Sequence, residues 1–203
     1  VEKFGHAALC LHYDDEPRKD VCFNYGTTDF ADPAGLIWGF LRGRAKFWVS
    51  MMTPGSMRKH YTEHDRTIWR QRLPLAAEQA RAVERKLLGD TSDPEWHYAY
   101  HHFHDNCSTR VRDIIDLATD GRMHAETAQL PGPGLSFREL GRSGFSDEHG
   151  ILLFSDVFLG RPADQVPNLW EVMFLPDFLR GEVERRFGVA PQTLYTRKGP
   201  PFP

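Results

Sequence analysis

A basic surplus is the first thing missing: 25 Lys and Arg stand against 28 Asp and Glu, for a formal charge of -3. Phosphate-backbone binding rests on a cationic excess, so nucleic acid is not expected as a partner. Long apolar runs are missing too. A spanning helix needs about 18 uninterrupted apolar residues, and the longest candidate, Ile151 to Leu159, is broken by Ser155 and Asp156. Cysteine is scarce and odd in number, with only Cys10, Cys22 and Cys107. That excludes a closed disulfide framework and leaves one thiol over, reduced or paired outside the chain. No internal repeat is visible. No charged-then-apolar leader precedes Val1-Glu2-Lys3-Phe4, which already reads as strand, so the sequence looks like a piece of a longer protein.

What is present suffices for a folded core. Apolar residues make up 40% and aromatics 12%, including 5 Trp and 14 Phe, which excludes disorder as the main state. The 17 Gly and 14 Pro predict a loop-rich chain of one domain. Phe4–Tyr13 and Asp20–Tyr25 flank the polar stretch Asp14 to Lys19 and read as a hairpin. Phe47–Met52 and Arg66–Leu73 read as further strands. A helix is expected from Leu73-Pro74-Leu75 until Gly89 stops it. Val111, Ile114, Ile115 and Ala118 recur at helical spacing just after Cys107, so that thiol is expected at the start of an amphipathic helix. Pro131 to Gly144 reads as a linker or lid, and the chain after it as an irregular, partly helical extension with an extended tail. The expected division is a core over 1–130 and an extension over 131–203 that packs on it within the same domain.

A thiol at a helix mouth sits where unpaired backbone N–H groups favour the thiolate, and the same groups suit an oxyanion. The competing reading is a buried cysteine used as a small hydrophobe. Polar neighbours, Asp105, Asn106, Ser108 and Thr109, argue for the former. A base is available in His6, set in the otherwise apolar Gly5-His6-Ala7-Ala8-Leu9, whose alternative is a satisfied strand histidine. Centring the hairpin turn between Glu16 and Pro17 places Cys10 opposite Cys22 and Ala8 opposite Asn24. Asn24 then shares a face with His6 and is suited to orient its imidazole; a one-residue slip brings Tyr25 there instead. In that register Cys10 and Cys22 either form a cross-strand disulfide or stay as two buried thiols.

These residues resemble a known family. Phe4-Gly5-His6, Asn24-Tyr25-Gly26-Thr27-Thr28-Asp29-Phe30 and Asp105-Asn106-Cys107-Ser108-Thr109-Arg110 look like the motifs of the Lnb-type periplasmic domain, a bacterial cell-envelope family associated with lipoprotein N-acyl transfer. Gly160-Arg161-Pro162-Ala163-Asp164 and Trp170-Glu171-Val172-Met173-Phe174-Leu175-Pro176 resemble its C-terminal region, so the likeness spans nearly the whole chain. The family is similar to circularly permuted papain-like thiol enzymes of the NlpC and lecithin retinol acyltransferase kinds, in which the strand His precedes the helix Cys. The resemblance implies an α+β, permuted papain-like fold: a small, mainly antiparallel sheet packed on a nucleophile helix. It implies Cys107 as nucleophile, His6 as base and Asn24 or Tyr25 near the base, with Tyr25, Asn106 and Ser108 expected to line the substrate site. It further implies a thioester on Cys107, a phospholipid acyl donor and a lipoprotein α-amine acceptor, a periplasmic location, membrane association through segments outside this chain, and no cofactor.

Two other function classes stay open: a Cys-His peptidase or amidase on cell-wall peptides, and a non-catalytic binding domain. His97, His101, His102 and His104 raise a metal site, but no CxxC, HExxH or matched carboxylate accompanies them, and no metal is expected. Leu169–Leu179 and Ile151–Leu159 are expected to pack inward rather than touch lipid, and Arg42-Gly43-Arg44-Ala45-Lys46 to be an exposed loop rather than a lipid-phosphate site.

Overall fold

The computed structural model describes residues 5–14, 19–28, 35, 39, 45–93, 95–142 and 160–200. Ile151–Leu159, most of the basic cluster, the tip of the hairpin turn and the Phe4, Asp29 and Phe30 motif positions lie outside them. Four antiparallel strands form the main sheet in the order β1 (Leu9–Leu11), β2 (Val21–Thr27), β3 (Lys46–Met52), β5 (Tyr98–Ala99). A second, two-stranded sheet pairs β4 (Ile68–Arg70) with β6 (Gln192–Tyr195). The first hairpin has the expected register, with Leu9 opposite Phe23, Cys10 opposite Cys22 and Leu11 opposite Val21. Cys10 and Cys22 are joined by a disulfide.

Helix α1 (Pro54–Glu63) follows β3 directly, starting at Thr53, whose hydroxyl accepts from the Ser56 N–H, with Pro54 at the first helical position. The sequence pattern gave no sign of it: it has no buried residue and so carries no apolar stripe. Helix α2 (Ala77–Thr91) passes through Gly89 instead of stopping there. A mid-helix glycine costs only about 1 kcal/mol, and Val83 and Leu87 anchor this helix in the core. Arg66 to Leu73 shrinks to the three residues of β4.

Helix α3 (Cys107–Ala118) is the centre of the molecule because it is apolar on two sides. Ile114 and Ala118 join Phe23, Tyr25, Phe47, Val49 and Leu87 in a cluster between the main sheet and α2. Val111 and Ile115 face the other way and pack with Met173, Leu179 and Val183. Those partners belong to the C-terminal stretch, where a 3-10 turn (Glu171–Phe174) leads into the last long helix, Pro176–Phe187. Leu169–Leu179 is thus largely core. The second half of the expected linker or lid is packed: after the short helix α4 (Arg122–Thr127) comes α5 (Phe137–Arg142), which buries Phe137 and Leu140 against Phe103 and Phe174, while Pro131, Pro133, Gly134 and Leu135 before it are exposed. No helix among the described residues is long and apolar enough to cross a membrane.

Candidate active site

Cys107 is the first residue of α3, and the helix starts there because Asn106 caps it. The Asn106 side-chain oxygen accepts from the Thr109 N–H at 2.9 Å, and the Thr109 hydroxyl accepts from the Asn106 N–H at 2.8 Å. The Asn106 amide nitrogen donates to the His102 carbonyl at 2.8 Å and to the Phe174 carbonyl at 3.0 Å. Ser108, fully buried, donates to the Met173 carbonyl at 2.7 Å. The polar groups that surround Cys107 in sequence therefore fasten the helix mouth to the C-terminal stretch. Asn106 and Ser108, expected at the substrate site, are committed to the fold in this way.

His6 and Asn24 are brought together. The Asn24 carbonyl oxygen lies 3.3 Å from His6 Nε2 and accepts its proton, which assigns Nε2–H to the ring in this pair. The His6 ring stacks on Tyr61 of α1 with centroids 6.0 Å apart. Tyr25 points elsewhere: it is completely buried in the core, and its hydroxyl donates to Asp90 at 2.6 Å. Burial first, then the Asp90 carboxylate, push the Tyr25 phenol far above its ordinary range. Of the two candidates for orienting the imidazole, Asn24 makes the hydrogen bond to it.

Strand β2 carries the contacts to both halves. Asn24 holds His6, and two positions on, Gly26 abuts Cys107: a Cβ on Gly26 would lie 3.6 Å from the Cys107 Cβ and 3.9 Å from the Tyr98 hydroxyl. Gly26 adopts φ +90°, a conformation suited to glycine, at the point where the β2–β3 register shifts. Strand alternation turns Asn24 away from the Phe23 and Tyr25 side of the sheet, and Cys107 belongs to the cluster on that side. The bulge at Gly26 is where the two sides meet.

The histidine-rich stretch forms a tight turn. His101 and Asp105 form a two-way backbone bridge, and the His101 ring accepts from the Phe103 and His104 N–H groups. His101 and His102 are both held below the ordinary histidine range, first by burial. Among the described residues no group of three or more His, Cys, Asp or Glu side chains is arranged to hold a metal ion. Arg110 is clamped by Asp105 through contacts of 2.5 and 2.6 Å and lies over the Tyr98 ring, 4.4 Å from its centroid.

Residues 1–142 match the family of the Lnb N-terminal periplasmic domain. The chain belongs to that family. The Lnb domain is periplasmic and related to lipoprotein processing. The match takes in His6, Asn24 and Cys107 and ends before Gly160–Pro176, so the expected C-terminal likeness lies outside it. No curated protein and no solved structure matches the chain.

Proposed function

We propose that this Lnb domain is a thiol acyltransferase of permuted papain-like kind, with Cys107 as nucleophile, His6 as base and Asn24 orienting the base. The observation that carries the reading is the pairing of His6 with Asn24 on a strand whose Gly26 lies against Cys107, with that cysteine at a capped helix mouth. Asn24 engages Nε2, so the proton of the thiol goes to Nδ1. The thiolate attacks the carbonyl carbon of an acyl ester; a C–S bond forms, the carbonyl electron pair moves to oxygen, and collapse expels the alcohol, which takes the proton from His6. An amine then attacks the thioester carbonyl carbon; a C–N bond forms, the C–S bond breaks, and the proton the amine loses passes by way of His6 to the Cys107 sulfur. In this reading the donor is a phospholipid and the acceptor the α-amine of a lipoprotein.

A non-catalytic domain is the second reading, favoured by the burial of Cys107 among core residues and by the alternation that turns Asn24 to the other side of β2. Intact-mass measurement decides between them. After incubation with p-nitrophenyl decanoate, wild type is expected to gain one decanoyl group that is absent from Cys107→Ala and strongly slowed in His6→Ala. Cleavage of a cell-wall peptide without acyl capture would replace the transferase with a peptidase; no adduct and no cleavage would leave the binding domain.

A further inference from the structure

We propose that Tyr98 is a catalytic residue of this site: its hydroxyl, together with the backbone N–H groups at the mouth of α3, receives the carbonyl oxygen of the acyl donor as it becomes an oxyanion. The inference rests on the acyl-transfer reading of Cys107. Tyr98 is about nine-tenths buried; the Gly26 N–H approaches its oxygen, and the O–H proton has no acceptor of ordinary geometry among the described residues. A buried phenol O–H usually finds a partner, and leaving one without is costly. The position of this hydroxyl suggests what its partner is. It and the Cys107 Cβ both lie within 4 Å of one point, the place a Cβ on Gly26 would occupy. Because residue 26 is glycine, that point holds no side chain, and a small group can stand between thiol and phenol.

The ring is held rigidly for such a role. Tyr98 pairs with Phe47 across β3 and β5, packs against Trp96 with centroids 5.7 Å apart, and lies under the Arg110 guanidinium. A fixed donor with a cation over its ring meets the requirement for oxyanion stabilisation, which is a dipole already aimed where charge develops. At the same time, burial and the nearness of Cys107 keep the phenol protonated, so that it donates at neutral pH.

Tyr98→Phe removes the hydroxyl and with it only the approach of the Gly26 N–H, so the variant is expected to melt within a few degrees of wild type. Two rates are then measured at Cys107: acylation by p-nitrophenyl decanoate, which passes through an oxyanion, and alkylation by iodoacetamide, which does not. The expected result is a loss of roughly 100-fold or more in acylation, with the alkylation rate and its pH midpoint unchanged. Equal acylation in variant and wild type would reduce Tyr98 to packing. A parallel loss of alkylation with a shifted midpoint would mean that it serves the thiolate, and either result overturns the inference. Failure of wild type itself to acylate on Cys107 is a separate result, which removes the acyl-transfer reading and this one with it. If the Phe variant melts early, Tyr98→Met, which fills the space without a hydroxyl, is judged by the same two rates.

Discussion

The mouth of α3 and the β1–β2 hairpin hold their parts of the candidate site by different means. At the helix mouth, Asn106, Ser108 and Thr109 make buried hydrogen bonds to one another and to the carbonyls of His102, Met173 and Phe174. In the hairpin, one covalent bond joins Cys10 to Cys22, and His6 meets Asn24 at 3.3 Å and stacks on Tyr61. The cysteine lies at the mouth of a helix fixed by a hydrogen-bonded network, whereas the histidine is held by a long hydrogen bond to Asn24 and by the ring of Tyr61.

That contrast is open to attack from both sides. The largest effect is expected from Asn106→Ala, which removes the cap, worth about 1 kcal/mol, and strands the buried Phe174 carbonyl at about 1–3 kcal/mol. Thermal melting should therefore show a loss of about 2–4 kcal/mol; a loss under 1 kcal/mol would mean that the mouth is not held by this network. Next comes the disulfide. The cross-link closes a short loop, and replacing Cys10 and Cys22 together with Ser should cost about 2–3 kcal/mol. In urea titrations the double variant should still unfold in one transition.

The smallest effect belongs to His102, whose carbonyl accepts from Asn106. Burial depresses its folded pKa below the ordinary value of 6.5. The unfolded chain therefore binds the extra proton first, and the stability that neutral His102 contributes is present above about pH 6.5 and declines as pH falls toward the folded pKa. Comparing urea midpoints at pH 7.5 and 5.5, His102→Gln should show a shallower decline than wild type, and an identical decline would assign the pH dependence to other groups.

Local pairing and periodicity were legible in the sequence. The hairpin register followed from the centre of its turn and put Cys10 opposite Cys22, and the spacing of Val111, Ile114, Ile115 and Ala118 marked α3. Less legible was what tertiary contact decides. Tyr25 and Asn24 are neighbours, and only the register shows which of them meets His6 and which turns to Asp90. That Asn106 and Ser108 also hold the helix mouth was not legible, because their partners, the carbonyls of Phe174 and Met173, lie some 65 positions on. Tyr98 was one aromatic among several in a histidine-rich stretch, and nothing in the local pattern separated it from the rest. The signal that finds it is spatial: a buried hydroxyl beside a glycine that also abuts the thiol.

The cross-link between the first two strands also governs how the chain sorts its sulfurs as it oxidises. Cys10 and Cys22 are 12 positions apart, whereas a wrong bond from Cys22 to Cys107 would close a loop roughly seven times longer, at an entropic disadvantage of about 2 kcal/mol. In an oxidising compartment the near pair closes first, and the sulfur at the helix mouth is left in the state that chemistry there would require.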